Sequence, residues 1–310
     1  MYRMLILCAV FLAGFKWPGY AQFITAGNRQ LLREQEQILS PLAFNIVNGI
    51  TEEQRREAND KFVPLFVNAL KIKGSFYYPF DSIKQISIQY PQDTSFRIFT
   101  WAVSGTAGEY RYYGAIQLHT ADGVLKLFPF FDNSEFTRDA ADTITDNKAW
   151  IGCVYYNIVD TRADGKKYYT LFGWQGNNYR SHKKLLDVLS FTDGKPVFGA
   201  PLFSFAKDSV PGATTNRFFI EYQTDASVGL NYDADLKMII YDHLVPLGNQ
   251  SGEKYTYVPD GTYDGFKWEK GKWMHVKQPF NTVTTPTPFP APVNFKKNIL
   301  EKDTVRTRKS

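Results

Sequence analysis

The spacing of apolar residues changes near residue 84, from a helical period to short alternating runs. Between residues 28 and 70, apolar side chains recur every three or four positions, a period that predicts amphipathic helices. From residue 84 onward, short runs rich in aromatic and β-branched residues alternate with turn residues, which predicts antiparallel strands. The pattern therefore predicts a mainly β protein with an N-terminal helical section.

The helical section is predicted to contain two helices. The first covers residues 28–39 and is expected to end before Pro41, because the residue before a proline is steered out of the helical region. The second begins at Thr51, which forms a capping box with Gln54, and Pro64 is expected to kink or restart it. The expected apolar faces are Leu31, Leu32, Gln35, Ile38 and Leu39 in the first helix, and Ala58, Phe62, Leu65, Phe66, Ala69 and Leu70 in the second. Both faces are expected to pack on the sheets, with contact to another protein as the alternative.

Residues 150–205 give the clearest strand pattern in the chain. Four apolar runs are separated by a turn at Asp164-Gly165, a polar loop at residues 175–182 and a turn at Asp193-Gly194. Asp-Gly between apolar runs favours a tight hairpin, because such a turn needs residues that tolerate positive φ. These four runs are therefore predicted to form one antiparallel sheet.

The strands as a whole are predicted to form three blade-like groups of about four strands each, a size that suits a propeller blade. The first group starts at residue 84, the second is residues 150–205, and the third starts with the run RFFIEYQ at residues 217–223. Three blades are too few to close a ring, for which about four to eight are typical. A propeller-like arrangement, a β-sandwich and an irregular open sheet are all compatible with the pattern.

The N-terminus has the features of a secretory signal peptide over residues 1–21. Arg3 precedes an apolar run at residues 5–15, and small residues lead up to a cleavage position before Gln22. The apolar run is shorter than the roughly 20 residues that cross a bilayer, although an uncleaved anchor is the alternative. The sequence thus predicts export to the periplasm or beyond, a mature chain without a transmembrane segment, a helical section at residues 22–75, an antiparallel β domain at 76–278 and a Pro-rich basic tail at 279–310.

Charge and cysteine content narrow the possible functions. The formal net charge is +5, but the predicted leader and the tail carry the excess of basic residues, so the folded body is expected to be near neutral. A nucleic-acid-binding domain would instead carry clustered basic residues, so no nucleic-acid partner is expected. Without the leader only Cys153 remains, which excludes an intramolecular disulfide, and its apolar strand predicts a buried structural thiol.

Four features carry a family resemblance: SFRIFTW at residues 95–101, YYTLFGW at 168–174, a DVLSF-type strand at 187–191 followed by PVFG at 196–199, and VPDGTYDGFKW-EKGKW at 258–273. With these segments the chain resembles a group of uncharacterised exported β-rich proteins of Bacteroidota-type bacteria. The resemblance covers about residues 84–276 and does not extend to the helices. It implies export and a β fold, and it brings no catalytic residues with it.

The best polar cluster of the sequence lies in and beside the loop at residues 175–182. Long loops that join strands hold binding groups on a rigid scaffold, so this loop is a candidate ligand-binding site. A solvated loop without a ligand is the alternative. The candidate residues are Trp174, Gln175, Asn177, Asn178, Tyr179, Arg180 and His182.

The other motifs of the sequence do not indicate a chemical reaction. None of the four histidines stands at a metal-binding spacing, and no nucleophile elbow, phosphate-binding loop or dinucleotide fingerprint is present. Asn231, Asp233 and Asp235 alternate like calcium ligands but lack the glycine of such a loop, so a hairpin turn is favoured. Asp242 and His243 are neighbours on a strand and should face opposite sides. Neither a metal nor a cofactor is expected.

The sequence leaves the function open between two classes. The first is an exported, non-catalytic binding or structural module of the cell envelope, with a glycan or an envelope protein as ligand. It is favoured because catalytic motifs are missing and tyrosines such as Tyr110, Tyr112 and Tyr113 could form a stacking platform, although they could equally be core. The alternative is a metal-independent hydrolase that acts on glycans through paired carboxylates.

Overall fold

The computed structural model describes residues 24–205, 214–248 and 250–280. The predicted signal peptide and the tail from residue 281 onward lie outside these ranges. Two helices, α1 (Ala26–Asn48) and α2 (Glu52–Lys71), precede sixteen strands within the described residues. The strands are β1 (Ser87–Gln89), β2 (Phe96–Ser104), β3 (Tyr110–Leu118), β4 (Lys126–Pro129), β5 (Thr145–Asp146), β6 (Val154–Ala163), β7 (Lys166–Gln175), β8 (Ser181–Thr192), β9 (Lys195–Phe198), β10 (Phe203–Ser204), β11 (Thr214–Thr215), β12 (Phe218–Gln223), β13 (Leu230–Asp233), β14 (Met238–Pro246), β15 (Tyr257–Glu269) and β16 (Lys272–Lys277).

The two helices form a hairpin that packs on the first sheet. The capping box of Thr51 and Gln54 is confirmed. The predicted end of the first helix was wrong, because α1 continues through Pro41 to Asn48. Ala43 and Ile46 are fully buried beyond the proline, and their packing offsets the one backbone hydrogen bond that the proline removes.

The buried face of α1 also differs from the predicted one. Leu31 and Ile38 are half exposed, whereas Leu32 and Leu39 are fully buried. Glu36 lies on the buried face, where its carboxylate accepts hydrogen bonds from the Tyr78 hydroxyl and the Ser82 amide. The side of α1 that faces the sheet is therefore displaced by one position from the predicted stripe. In α2 the predicted face is buried apart from Leu65, and Pro64 lies within one continuous helix.

The strands form three sheets. The first sheet has the order β1-β2-β3-β4; the central sheet has the order β5-β9-β8-β7-β6; the third has the order β11-β10-β16-β15-β14-β13. All pairs are antiparallel except β10 with β16. The predicted mainly β fold with antiparallel groups is therefore confirmed, and both Asp-Gly hairpins have positive φ at each turn residue.

Two strands lie in a different sheet from the predicted one. Phe203, at the end of the last run of residues 150–205, belongs to β10 of the third sheet and is opposite Trp273 of β16. The run RFFIEYQ was assigned to the third group, but β12 pairs with β8 of the central sheet, Phe218 opposite Leu186 and Gln223 opposite Ser181. Strand β8 has twelve residues, and β9 covers only its last four on that edge. Strand β12 fills the remaining edge, which would otherwise leave backbone groups unpaired.

The elements stack in four layers, in the order helices, first sheet, central sheet and third sheet. Alternate residues of one strand serve two cores, as the strand period of two requires. In β2, Phe99 faces the helices and Ile98 faces the central sheet; in β8, Leu185 faces the first sheet and Leu186 faces the third. Successive sheets thus pack face to face, as in a sandwich.

Candidate functional site

Two clefts share part of their lining and adjoin each other. The larger cleft has a volume of about 620 Å³ and the smaller one about 500 Å³. Ser134, Gln175 and Lys183 line both clefts and mark the point where they meet. These two clefts together are called the groove.

Strand β3 and the loop at residues 132–136 line the smaller cleft, and both present aromatic rings to it. Phe136 is 78% exposed on a short 3-10 turn. The Tyr110 ring packs edge-on against Trp174 at 5.5 Å and lies over Gly176, where an added Cβ would be 2.2 Å from Tyr110 Cε2. Tyr112 accepts a hydrogen bond from the Gly176 amide, and burial raises the pKa of Tyr112. Tyr112 is thus fixed in the wall, while Phe136 is open to a ligand.

Two of the seven predicted site residues, Gln175 and Asn177, line the groove. The buried Gln175 side chain donates to the Gly152 carbonyl at 2.8 Å. The Asn177 amide donates to Ser181 Oγ and to Glu221 Oε1 at 2.7 and 3.2 Å. Both amides are therefore held in place by neighbours at the edge of the groove.

The other predicted residues maintain the shape of the loop. Asn178 Oδ1 accepts from the backbone amides of Arg180 and Ser181, which closes a tight turn. The Arg180 guanidinium lies 3.3 Å from the centre of the Tyr255 ring. That all seven residues bind a ligand stays a prediction. Asn178 and Arg180 do not line the groove, whereas Gln175 and Asn177 do.

Trp174 and His182 pack together behind the loop. Their ring centres are 5.4 Å apart, and His182 also contacts the Tyr222 ring at 6.0 Å. His182 Nδ1 lies 3.0 Å from the Gly176 carbonyl oxygen, and the remaining candidate, Tyr179, is largely exposed. Aromatic rings packed at tilted and edge-on angles thus support the loop.

Glu221 of β12 is a groove residue that the sequence did not reveal. Its Oε1 accepts from Ser181 Oγ at 2.6 Å, and its Oε2 lies 3.7 Å from Lys183 Nζ. It links the predicted loop to β8 and lines the larger cleft. The prediction missed it because β12 was assigned to another sheet, although a glutamate inside an apolar strand was a visible signal.

Strands β14 and β15 form the other side of the larger cleft, where a β-bulge places His243 next to Asp260. Asp242 is opposite Tyr263 and Leu244 is opposite Pro259, so β15 has extra residues at this point. His243 Nδ1 lies 2.8 Å from Asp260 Oδ2. Bulges often redirect side chains beside functional sites.

The carboxylates at this bulge have different surroundings. Burial acts to raise the pKa of Asp260, but hydrogen bonds from Thr262 and His243 outweigh it and hold that pKa below its usual value. Burial raises the pKa of Asp242, which accepts a hydrogen bond from the Gly229 amide. Asp242 and His243 therefore have separate partners, as their adjacent strand positions predicted.

Arg217 holds the wall of the larger cleft formed by residues 139–141. Its fully buried guanidinium donates to the carbonyls of Ala140 and Thr143 and to Thr145 Oγ1. Its Nε lies 2.8 Å from Asp187 Oδ1, in an ion pair with non-ideal hydrogen-bond geometry. The loop that borders the cleft is therefore attached by this buried cation and also by the backbone amides of Asn216 and Arg217, which donate to the Ala141 carbonyl.

Other predicted features have structural roles. Asp233 Oδ1 accepts from the amides of Asp235 and Leu236, as in a hairpin turn. Cys153 is fully buried, and burial raises the pKa of its thiol. Within the part of the chain that the structure describes, no group of three histidine, cysteine or acidic residues could hold a metal ion. Neither α1 nor α2 combines the length and apolar character needed to cross a membrane.

Comparison with known proteins gives no relative from which a role could be transferred. No protein-family model, curated protein or solved structure matches the chain.

Proposed function

We propose that the protein is an exported binding module of the cell envelope and that the groove binds a glycan. The observation that supports this proposal is the combination of exposed aromatic surface and polar side chains along one groove. Sugar rings have apolar faces that pack on aromatic rings, and hydroxyl groups at their edges that hydrogen-bond to amides and carboxylates. Phe136 supplies the first type of contact, and Gln175, Asn177 and Asp132 supply the second.

The size of the groove supports an oligosaccharide rather than a single sugar. Each cleft lies in the range of about 300–1,000 Å³ that is usual for small-ligand sites, with volumes of about 620 and 500 Å³. Because the clefts meet at Ser134, Gln175 and Lys183, one chain of sugar units can occupy both. The proposed location in the envelope depends on the leader predicted at residues 1–21.

Two exposed phenylalanines that are close in sequence provide a matched test. Phe136 is 78% exposed and lines the groove, whereas Phe131 is 57% exposed and does not. We expect calorimetric titration with neutral oligosaccharides, such as cello-, laminari- and chito-oligomers, to detect binding. Phe136→Ala should weaken it about two- to tenfold, since an aromatic contact contributes about 0.5–1.5 kcal/mol, and Phe131→Ala should not change it. Absence of binding across the panel, or equal losses in both variants, would contradict the proposal.

A metal-independent glycan hydrolase is the second candidate. Glu221 of β12 and Asp242 and Asp264 of β14 and β15 line the same cleft, so carboxylates reach it from different strands. Mass spectrometry of a bound oligosaccharide after prolonged incubation separates the two functions. Shortened products that disappear in Glu221→Gln or Asp242→Asn, with binding retained, would favour the hydrolase. An intact oligosaccharide would favour the binding module.

A further inference from the structure

The groove is rich in acidic side chains, although the chain as a whole has a formal net charge of +5. Asp139, Glu221, Asp242 and Asp264 line the larger cleft. Glu109, Asp132 and Glu135 line the smaller one. The basic side chains of the groove are Arg111, Lys183 and Lys254, together with His243. Carboxylates thus outnumber lysine and arginine side chains by more than two to one.

The basic side chains leave most of this negative charge uncompensated. Lys183 pairs with Glu221 at 3.7 Å, and the Lys254 ammonium lies over the Tyr257 ring at 4.2 Å. Asp264 accepts a hydrogen bond from the backbone amide of Gln278, and Asp242 accepts one from the backbone amide of Gly229. An amide dipole stabilises a carboxylate but does not cancel its charge, so the field in the groove remains negative.

The surroundings of Asp242 agree with this distribution. Burial raises the pKa of Asp242, and the charge of the neighbouring Asp260 raises it further, against the opposing effects of the Gly229 amide and Lys184. Another negative charge at this position would increase the repulsion, whereas a cation would relieve it. A concave site with low-dielectric walls strengthens both effects.

We propose that the groove selects glycans that carry ammonium groups, namely oligomers of amino sugars with free amines, over N-acetylated glycans, and excludes glycans that carry carboxylate or sulfate groups. This inference rests on the proposed function, because it names the substrate class of the same groove. Phe136 contacts the faces of the sugar rings, and the carboxylates bind the ammonium groups. An anionic glycan would place like charges together in the groove, which is costly.

The test compares length-matched glucosamine, N-acetylglucosamine and uronate oligomers by calorimetric titration, at a mildly acidic pH where the amines are protonated. We expect the glucosamine oligomer to bind at least tenfold more tightly than the N-acetylated one, with a preference that weakens as salt is added. The uronate oligomer should bind weakest.

Carboxylate variants show whether the groove causes the preference. Glu109 and Glu135 are both exposed, so Glu109→Gln/Glu135→Gln should fold normally. We expect it to reduce the preference for the glucosamine oligomer over the N-acetylated one severalfold. Glu34→Gln, on α1 and outside the groove, is the control and should have no effect.

The possible failures are distinguishable. Uronate binding equal to or tighter than glucosamine binding would overturn the charge selectivity and leave glycan binding intact. Equal affinity for the glucosamine and N-acetylglucosamine oligomers would also overturn the charge selectivity and leave glycan binding intact. Absence of binding by every oligomer would instead contradict the proposed function. Oligolysine binding as tight as that of the glucosamine oligomer would overturn the assignment to amino sugars, because it would show that positive charge alone is sufficient.

Discussion

Arg97 and Arg217 are both fully buried, but their charges are accommodated in different ways. Arg97 donates to the carbonyls of Ser75 and Tyr78 and to Gln117 Oε1, and its guanidinium lies 4.7 Å from the centre of the Phe99 ring. Among the described residues, no carboxylate lies within ion-pair distance of it. Burial lowers the pKa of Arg97. Neutral acceptors and aromatic faces therefore hold this cation.

Arg217 relies on a carboxylate and on distant backbone. Its ion pair with Asp187 joins the start of β12 to β8. Its hydrogen bonds to Ala140, Thr143 and Thr145 attach β5 and the loop that precedes β5. Part of that loop lines the larger cleft. Arg97 thus supports the fold near the helices, whereas Arg217 supports the fold and also shapes the groove. Removing Arg97 should therefore affect stability alone, and removing Arg217 should affect stability and binding.

The largest effect is expected from Arg217→Met. This change leaves Asp187 buried without its cation, which should lower the free energy of unfolding by about 3–5 kcal/mol. Urea unfolding measures the loss, and titration should show weaker glycan binding because the loop at residues 139–141 loses the hydrogen bond to the Ala140 carbonyl and keeps only backbone bonds to Ala141. Arg217→Met/Asp187→Leu should recover part of the stability, since no charge remains unpaired. A double variant as unstable as the single one would contradict this account.

A smaller loss is expected from Arg97→Met. The substitution leaves acceptors without a donor but creates no uncompensated charge, so the free energy of unfolding should fall by about 2–3 kcal/mol. The same urea experiment gives the value. Glycan affinity of the folded protein should match that of the unmodified chain, and a clear loss would show that the two arginines do not differ as described.

A partly exposed ion pair extends the comparison toward the surface. Lys167 of the central sheet pairs with Asp93, which precedes β2. Burial acts to raise the pKa of Asp93, but hydrogen bonds from Lys167 and Ser95 outweigh it and lower that pKa to about 2. Because both side chains are partly exposed and Lys167 also contacts Asp160, Asp93→Asn should cost at most about 1 kcal/mol near neutral pH.

The lowered pKa of Asp93 also gives a pH dependence. The folded value lies below the unfolded value of about 4, so the contribution is complete above pH 4 and disappears as the pH falls toward 2. Thermal melts across this range should show a decline that is smaller in Asp93→Asn than in the unmodified chain. Parallel curves for the two proteins would rule out the contribution.

The smallest expected effect is a change in labelling rate at Cys153. The thiol is fully buried near Asp187, and burial raises its pKa, so the folded protein should not react with a thiol reagent. In a Cys8→Ser background, Arg217→Met should accelerate labelling more than Arg97→Met, because it loosens the strands around the cysteine. Equal acceleration would mean that both arginines stabilise the same cooperative unit.

The predictable part of the candidate site was the loop at residues 175–182. Its polar composition between two strands identified it, and Gln175 and Asn177 do reach the groove. Glu221 and the bulge at His243 and Asp260 escaped notice, because they come from strands that are distant in sequence. No local pattern indicates that β12 joins β8 or that β15 contains extra residues opposite β14.

The sequence by itself determined the features that depend on neighbouring residues. The Thr51 cap, the Asp164-Gly165 and Asp193-Gly194 hairpins and the antiparallel groups follow from local hydrogen bonds, positive φ and the strand period. Only the tertiary structure decided how far α1 continues past Pro41 and which strands converge on the groove. Those outcomes depend on burial and on unpaired strand edges, which arise only when distant segments pack together.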